Sequence, residues 1–271
     1  MSEVVLFDVQ DDVAVLTLNR PDRLNAWIPE LQTRYFDLLD ECTEREDVRA
    51  IVVTGAGRGF CAGADMQGLQ NLSEGESNGQ SGSTAHDPRP VTYALGIPKP
   101  VIAAINGACA GLGLVHAVMC DLRIAAEGAK FTTAFSRRGL VAEHGLSWML
   151  PRLIGPSRAL DLLLSGRVFL GAEAAELGLV NRAVKDGTAL DEALDYARML
   201  AADCSPTSMA MMKQQVYADY DRTISESLEE ANRLMAESFA RPDFAEGVRS
   251  FVERRQPDFP PLERRPAGVS S

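Results

Sequence analysis

Long apolar runs are missing from this chain: each hydrophobic stretch is broken by Gly, Asn, His or Asp well short of a bilayer-spanning length, so no transmembrane segment is expected. A basic start is missing too. The first sixteen residues carry Glu3, Asp8, Asp11 and Asp12 where a secretory leader needs lysine or arginine ahead of an apolar run, which argues against export. Cysteine is scarce: Cys42, Cys61, Cys109, Cys120 and Cys204 are odd in number and form no C-x-x-C or zinc-ligand spacing. Reduced thiols in a cytoplasm are the expectation. Three scattered histidines make no metal set. Basic clusters are lacking as well, with 38 acids against 27 bases and a net charge of −11, so neither nucleic acid nor an anionic membrane is expected as the main partner. An anionic small molecule meeting a local basic patch stays open.

What is present is core. The 271 residues are 46% hydrophobic, enough for a large folded unit in one or two domains and too much for a disordered chain. Val13 to Leu18 (V-A-V-L-T-L) reads as a strand closed by the turn residues Asn19-Arg20-Pro21-Asp22. From Pro29 a helical pattern follows, with Leu31, Tyr35, Leu38 and Leu39 on one face. Ala50 to Thr54 and Val101 to Ile105 are buried-type strands, each running into a glycine-bearing turn, and Leu114 to Cys120 continues the second as a helix. Leu122 to Ala126 reads as a further strand and Lys130 to Phe135 as a short one. From about Ala172 helices dominate: Ala189 to Ala202, Pro206 to Asp219, Ile224 to Phe239 and Phe244 to Glu253 all show three- and four-residue apolar spacing. The class is α/β with a helical C-terminal part. Ser73 to Arg89, rich in Ser, Gly and Asn, reads either as a surface connection or as a mobile cover over a pocket.

Two glycine-containing loops carry the chemistry, Phe60-Cys61-Ala62-Gly63-Ala64-Asp65-Met66 and Asn106-Gly107-Ala108-Cys109-Ala110-Gly111-Leu112-Gly113. The second opens a helix, whose first amides have no acceptor within it. Two converging N–H donors would make an oxyanion hole; ordinary turn chemistry is the alternative for either loop alone. Neither loop has the G-x-x-x-x-G-K-[ST] or G-x-G-x-x-G pattern, which excludes a P-loop and a dinucleotide fingerprint.

Asn19-Arg20-Pro21 with Leu24-Asn25-Ala26, Ile51-Val52-Val53-Thr54-Gly55, the Phe60 to Asp65 loop, Lys99-Pro100-Val101 through Asn106-Gly107, Leu150-Pro151-Arg152-Leu153-Ile154-Gly155, and Leu164-Ser165-Gly166 ahead of Leu177-Gly178-Leu179-Val180 stand in one order and spacing. In this ordered set the chain resembles the crotonase (enoyl-CoA hydratase/isomerase) superfamily over roughly residues 5 to 255. The resemblance implies an α/β crotonase (ClpP-like) fold of repeated ββα units, with a core over 1–195 holding an acyl-CoA pocket. A C-terminal helical region, 196–271, would serve trimerisation and pocket closure, in a homotrimer or a hexamer built as a dimer of trimers. It implies an acyl-CoA thioester as substrate, with no separate cofactor because coenzyme A is part of the substrate. By carry-over the oxyanion donors would be the main-chain amides of Ala64 and Leu112, the latter standing where many relatives have glycine. Arg23, Leu24, Ala26, Ala62, Asp65 and Met66 would lie along the coenzyme A, Arg23 facing a phosphate or, equally, only solvent. Gly111, Val115, Phe135 and His144 complete the expected substrate-binding set.

The departures from the pattern bear on the reaction. Hydratases of this superfamily use two glutamates, and the matching positions here are Val115 and Phe135, neither of which can hold a water. Glu143, in Gly139-Leu140-Val141-Ala142-Glu143-His144-Gly145, stands where some of the family's isomerases carry an acid and is the candidate acid/base. Its flanks, Val141, Ala142, Leu146 and Trp148, suggest apolar company that would raise a carboxyl pKa toward a useful value; a helix-start acid complementing the helix dipole is the alternative. His144 would orient Glu143 or pack, and His116 would point elsewhere and pack. Leu69, Leu72, Leu112, Val115, Phe135, Leu146 and Trp148 form either an acyl tunnel or plain core. The reading is an isomerase-type proton transfer on an unsaturated acyl-CoA; the alternatives are a non-catalytic acyl-CoA binding protein and a crotonase-fold decarboxylase, dehalogenase or hydrolase.

Overall fold

The computed structural model describes residues 3–65, 70 and 87–262. Ten strands and nine α-helices are formed among them. Strands β1 (Val5–Gln10), β2 (Val13–Leu18), β3 (Ala50–Gly55), β5 (Val101–Ile105), β7 (Leu122–Ala126) and β10 (Arg182–Val184) make a six-stranded sheet in the order β1-β2-β3-β5-β7-β10. All its neighbours are parallel except the β1–β2 hairpin. A second sheet, ordered β4-β6-β8-β9, holds β4 (Gly59–Cys61), β6 (Ala108–Ala110), β8 (Lys130–Thr132) and β9 (Phe169–Leu170). Each long strand β3, β5 and β7 turns directly into its short partner β4, β6 or β8, so the chain climbs one step in both sheets per turn. This is the repeated ββα plan.

The central strands are buried on both faces, which is why they read as unbroken Ile, Val and Ala. Alternate residues of β3 and β5 divide between two cores: Ile51, Val53, Val101, Ala103 and Ile105 face one, and Val52, Ile102 and Ala104 the other. The larger core is covered by α1 (Pro29–Glu44) and α2 (Leu112–Val118). Across the sheet lies α6 (Ala189–Asp203), whose Ala193, Ala197 and Ala201 repeat every four residues, so the helix sits close against the strands. Between these come α3 (Leu146–Ile154), α4 (Pro156–Ser165) and α5 (Gly171–Leu177).

The chain then leaves through α7 (Pro206–Ala218), α8 (Ile224–Phe239), started by a Thr223–Glu226 capping box, and α9 (Pro242–Glu253). A polar clasp fixes α7 to the core. Lys213 Nζ, pushed down in pKa by burial, donates to Asp121 Oδ2 at 2.7 Å and to the Ala94 carbonyl at 3.0 Å. Tyr217 donates to Asp121 Oδ1 at 3.0 Å, and the Val101 amide at the head of β5 donates to Oδ2 at 2.7 Å.

The strands and helices expected from the apolar pattern lie where it places them; β1, α3 and α4 are not among those expected. One correction concerns residues 130–135, expected as a single strand: pairing stops at Thr132, and Phe135 takes helical backbone angles at the head of a 3-10 turn, Ser136–Arg138. β4 and β6, three residues each, are too short for alternation to register.

Candidate active site

The two glycine-bearing loops leave adjacent parallel strands, β4 and β6, at their C-terminal ends. Glycines on each press against the backbone of the other. A Cβ on Gly113 would stand 2.2 Å from the Cys61 carbonyl oxygen, and one on Gly63 (φ +98°) would stand 2.9 Å from the Ala110 oxygen and 3.6 Å from the Leu112 nitrogen. Only hydrogen fits at either place.

A third segment, residues 24–27, is laid beside the first loop by the main chain. The Ala62 amide donates to the Leu24 carbonyl at 3.0 Å, Trp27 to Gly63 at 2.7 Å, and Asp65 to Trp27 at 3.1 Å. Trp27 thus binds both neighbours of Ala64, and in such a parallel bridge the residue between them keeps its own N–H turned away. Leu112 is the first residue of α2 after Gly111 (φ +48°), so its amide has no acceptor inside the helix. Ala64 and Leu112 therefore offer main-chain donors from two loops locked side by side.

The motif asparagines hold this scaffold. Asn25, fully buried at φ +57°, donates to the Ala56 and Gly59 carbonyls at 3.0 and 2.8 Å and accepts from the Arg20 amide at 2.8 Å. Asn106 Nδ2 donates to the Gly55 and Gly57 carbonyls, both at 2.9 Å. Of the residues expected along the coenzyme, Leu24 and Ala62 are half-buried and Ala26 is buried. Asp65 is already engaged, its carboxylate 2.9 Å from Arg20 Nη2. Met66 lies outside the described residues, as do Leu69, Leu72 and residues 73–86 of the Ser-rich segment. At that segment's end Arg89 pairs with Asp37, Asp40 and Asp87, each at 2.6 Å, and so fastens it to α1. Arg23 is exposed, and its guanidinium has no partner among the described residues. Arg58 is in the same condition on the neighbouring β3–β4 turn, where a Cβ on Gly57 would touch Pro21 at 3.1 Å. Sequence reasoning passed over Arg58; its signal is a lone cation between two glycines in a strand-to-strand turn.

Val115 and Phe135 are buried at 0% and 4% exposure, apolar side chains in an apolar surround. Glu143 precedes α3, its carbonyl accepting from the Leu146 amide at 3.0 Å and its carboxylate 3.5 Å from His144 Nε2. Its expected apolar enclosure is not met within one chain. Val141 is 81% exposed, because residues 136–141 run over the surface, and the Glu143 side chain keeps 38% of its area in solvent. Nor is it a first-turn acid: Gly145 is the N-cap, two residues on, and no side chain caps the helix. His144 takes a left-handed φ of +52°, a conformation that costs a non-glycine residue energy. Trp148 is half-buried, held under the Arg152 guanidinium at 3.8 Å and edge-on to Tyr220 at 5.1 Å. Leu112 and Leu146 are buried. Cys61, beside the loops, is fully buried, which pushes its thiol up to about 12 and leaves it a small core residue.

A family model described as enoyl-CoA hydratase/isomerase matches residues 8–261. The chain belongs to the enoyl-CoA hydratase/isomerase family, within the crotonase superfamily. It is 36% identical, over 96% of its own length and 99% of the relative's, to the 1,2-epoxyphenylacetyl-CoA isomerase of Escherichia coli K12. An enoyl-CoA hydratase structure from Polaromonas sp. JS666 superposes with a TM-score of 0.88 at 31% identity, covering 94% of this chain and 99% of that one. The enoyl-CoA hydratase EchA12_1 of Mycobacterium marinum is 47% identical over 82% of this chain and all of that one, with a TM-score of 0.69. The family acts on acyl-CoA thioesters, and the crotonase spiral is the fold described above.

Proposed function

We propose that this family member isomerises an unsaturated acyl-CoA thioester by moving a proton on a single carboxylate. The observation that carries the reading is the burial of Val115 and Phe135 where hydratases place two glutamates: hydrocarbon at both positions offers no acceptor to hold or deprotonate a water. Glu143 would take a proton from the α carbon of a 3-enoyl ester. The electron pair of that C–H bond then delocalises into the thioester, placing negative charge on its oxygen, where the Ala64 and Leu112 amides receive it. Return of the proton to the γ carbon shifts the double bond into conjugation and regenerates the Glu143 carboxylate. His144, 3.5 Å from that carboxylate, would orient it. The E. coli relative, an isomerase by name, supports a non-hydrating reaction.

Arg23 and Arg58 would meet the phosphates of the coenzyme A, being cations without a partner among the described residues, on adjoining turns beside the 24–27 segment. The helical region from residue 196 would build a homotrimer or a hexamer. Its support is the apolar surface of the last helices: Met212, Met235, Phe239, Phe251 and Val252 are all more than half exposed, and Met212, Met235 and Phe251 line a groove of about 920 Å³. A cytoplasmic setting without a separate cofactor completes the reading; among the described residues no helix is long and apolar enough to cross a membrane.

Purified protein incubated with 3-enoyl-CoA and 2-enoyl-CoA esters of graded length tests the reaction. Interconversion of double-bond position without 3-hydroxyacyl-CoA is expected, and E143Q should lower kcat by about 10²–10⁴. Full turnover by E143Q would remove Glu143 from the chemistry; binding of the esters without turnover by the unaltered protein would make it a binding protein instead.

A further inference from the structure

A buried ring system links the elements that carry the two amides, through Trp27 beside Ala64 and His116 on the helix of Leu112. His116 is 4% exposed, and its Nε2 has no hydrogen-bond partner among the described residues. Its ring stacks on the Trp27 indole with centroids 3.6 Å apart and planes 23° from parallel. Tyr35 meets both rings edge-on, at 5.7 Å from Trp27 and 5.8 Å from His116. On the far side the indole Nε1 donates to Gln32 Oε1 at 3.2 Å.

The connectivity of this stack gives it a second meaning. His116 lies four residues after Leu112, one helical turn along the same face of α2, so the ring and one donor belong to a single rigid turn. Trp27 holds the other donor, because its amide and carbonyl bind the residues on either side of Ala64. The ring contact thus joins the helix bearing one donor to the strand segment clamping the other. Two flat rings can stack at the 3.6 Å that separates the His116 and Trp27 centroids. A branched aliphatic side chain is thicker and would push Trp27, and with it the Gly63–Asp65 segment, away from α2.

We propose that His116 is a positioning residue whose stack on Trp27 sets the separation of the Ala64 and Leu112 amides. This rests on the isomerase reading for its catalytic consequence and on the geometry alone for its structural one. Misplacing a reacting group by an ångström costs up to about a hundredfold in rate. H116L should therefore lower kcat about tenfold to a hundredfold while KM changes less than about threefold, and H116F, which keeps a flat ring, should recover most of the loss.

The test pairs those kinetics, corrected for folded fraction by circular dichroism, with amide hydrogen exchange of the ligand-free proteins. In H116L the Trp27 and Asp65 amides should exchange at least about tenfold faster than in the wild type, with β3 and β5 unchanged; in H116F they should not. Unchanged exchange in H116L overturns the proposal, as does wild-type kcat in a variant whose exchange has accelerated, or equal loss of kcat in H116L and H116F. If the unaltered protein turns over no thioester, the isomerase reading fails separately, and the exchange experiment still decides whether the stack holds the loop.

Discussion

Lowering the pH should destabilise this protein through His116, by an amount that the structure allows to be worked out. Burial, with a smaller contribution from the nearby His144, pushes its imidazole from the ordinary 6.5 down to about 3. The native state thus prefers the neutral ring, enclosed by Trp27, Tyr35 and Phe36. At pH above 6.5 neither the folded nor the unfolded chain carries a proton there, and the residue costs nothing. Between 6.5 and about 3 the unfolded chain binds a proton that the folded chain refuses, so stability falls as pH falls. The slope is about 1.4 kcal/mol per pH unit, giving a loss of about 2 kcal/mol at pH 5 and about 5 kcal/mol once the pH has passed the folded value. Against a total stability of about 5–15 kcal/mol this is a large fraction.

Urea unfolding of wild type and H116F at a fixed protein concentration, at pH 7 and at pH 5, isolates the effect. Carboxylates also titrate in this window, but they are common to both proteins and cancel in the comparison. The wild type should lose about 2 kcal/mol more than H116F between the two pH values. Identical losses would mean that the folded His116 accepts a proton near its ordinary value. The ring could not then be as enclosed as the stack on Trp27 requires.

Three further outcomes follow from the geometry. G113A puts a methyl group 2.2 Å from the Cys61 carbonyl oxygen, so α2 must move off β4; melting temperature should fall and kcat should drop at least about a hundredfold, as for loss of an oxyanion donor. K213M leaves Asp121 with the Val101 amide and Tyr217 but without its paired cation, and should cost about 3 kcal/mol of stability, read by urea unfolding, with little effect on KM. The double variant R23A/R58A should raise KM for acyl-CoA several-fold while sparing kcat, and wild-type KM should rise with ionic strength more steeply than the variant's. Equal salt dependence in the two proteins would place the phosphates elsewhere.

The long elements that were legible carry strong apolar patterns, whereas β1, α3 and α4 were not read. β3 and β5 are unbroken apolar runs buried on both faces, and α1, α6 and α8 repeat every three or four residues. What else escaped is short or three-dimensional. β4 and β6 have three residues each, and nothing in one dimension says that they lie side by side. The glycine loops were visible as candidates, but their mutual contact rests on Gly63 and Gly113 each occupying space beside the other loop's backbone, which only the folded chain displays. Glu143 misled by its neighbours in sequence: Val141 and Ala142 suggest enclosure, yet the backbone there is a surface loop, and adjacency along a loop says little about which side chains share a face. His116 carried no signal beyond its residue type, since its role depends on Trp27, eighty-nine positions away.

The site tolerates sequence change in a particular way because its central donors are main-chain atoms. Leucine at 112 keeps the same amide at the head of α2 that glycine would offer, so the capacity to stabilise an oxyanion is carried by backbone conformation and by the glycines that let two loops approach. On the proposed mechanism, chemistry would be selected separately by the side chains at 115, 135 and 143. Exchanging carboxylates for hydrocarbon at the first two would remove water activation without disturbing the donors. The acidic surface fits the same division. A net charge of −11 opposes an anionic ligand at long range, but screening confines that repulsion to roughly 8 Å at physiological salt, and Arg23 and Arg58, without partners among the described residues, would outweigh it locally in the proposed reading. In the proposed reading, binding, oxyanion stabilisation and proton transfer fall to three different parts of the chain, and a change in the third alone would be enough to redirect the reaction.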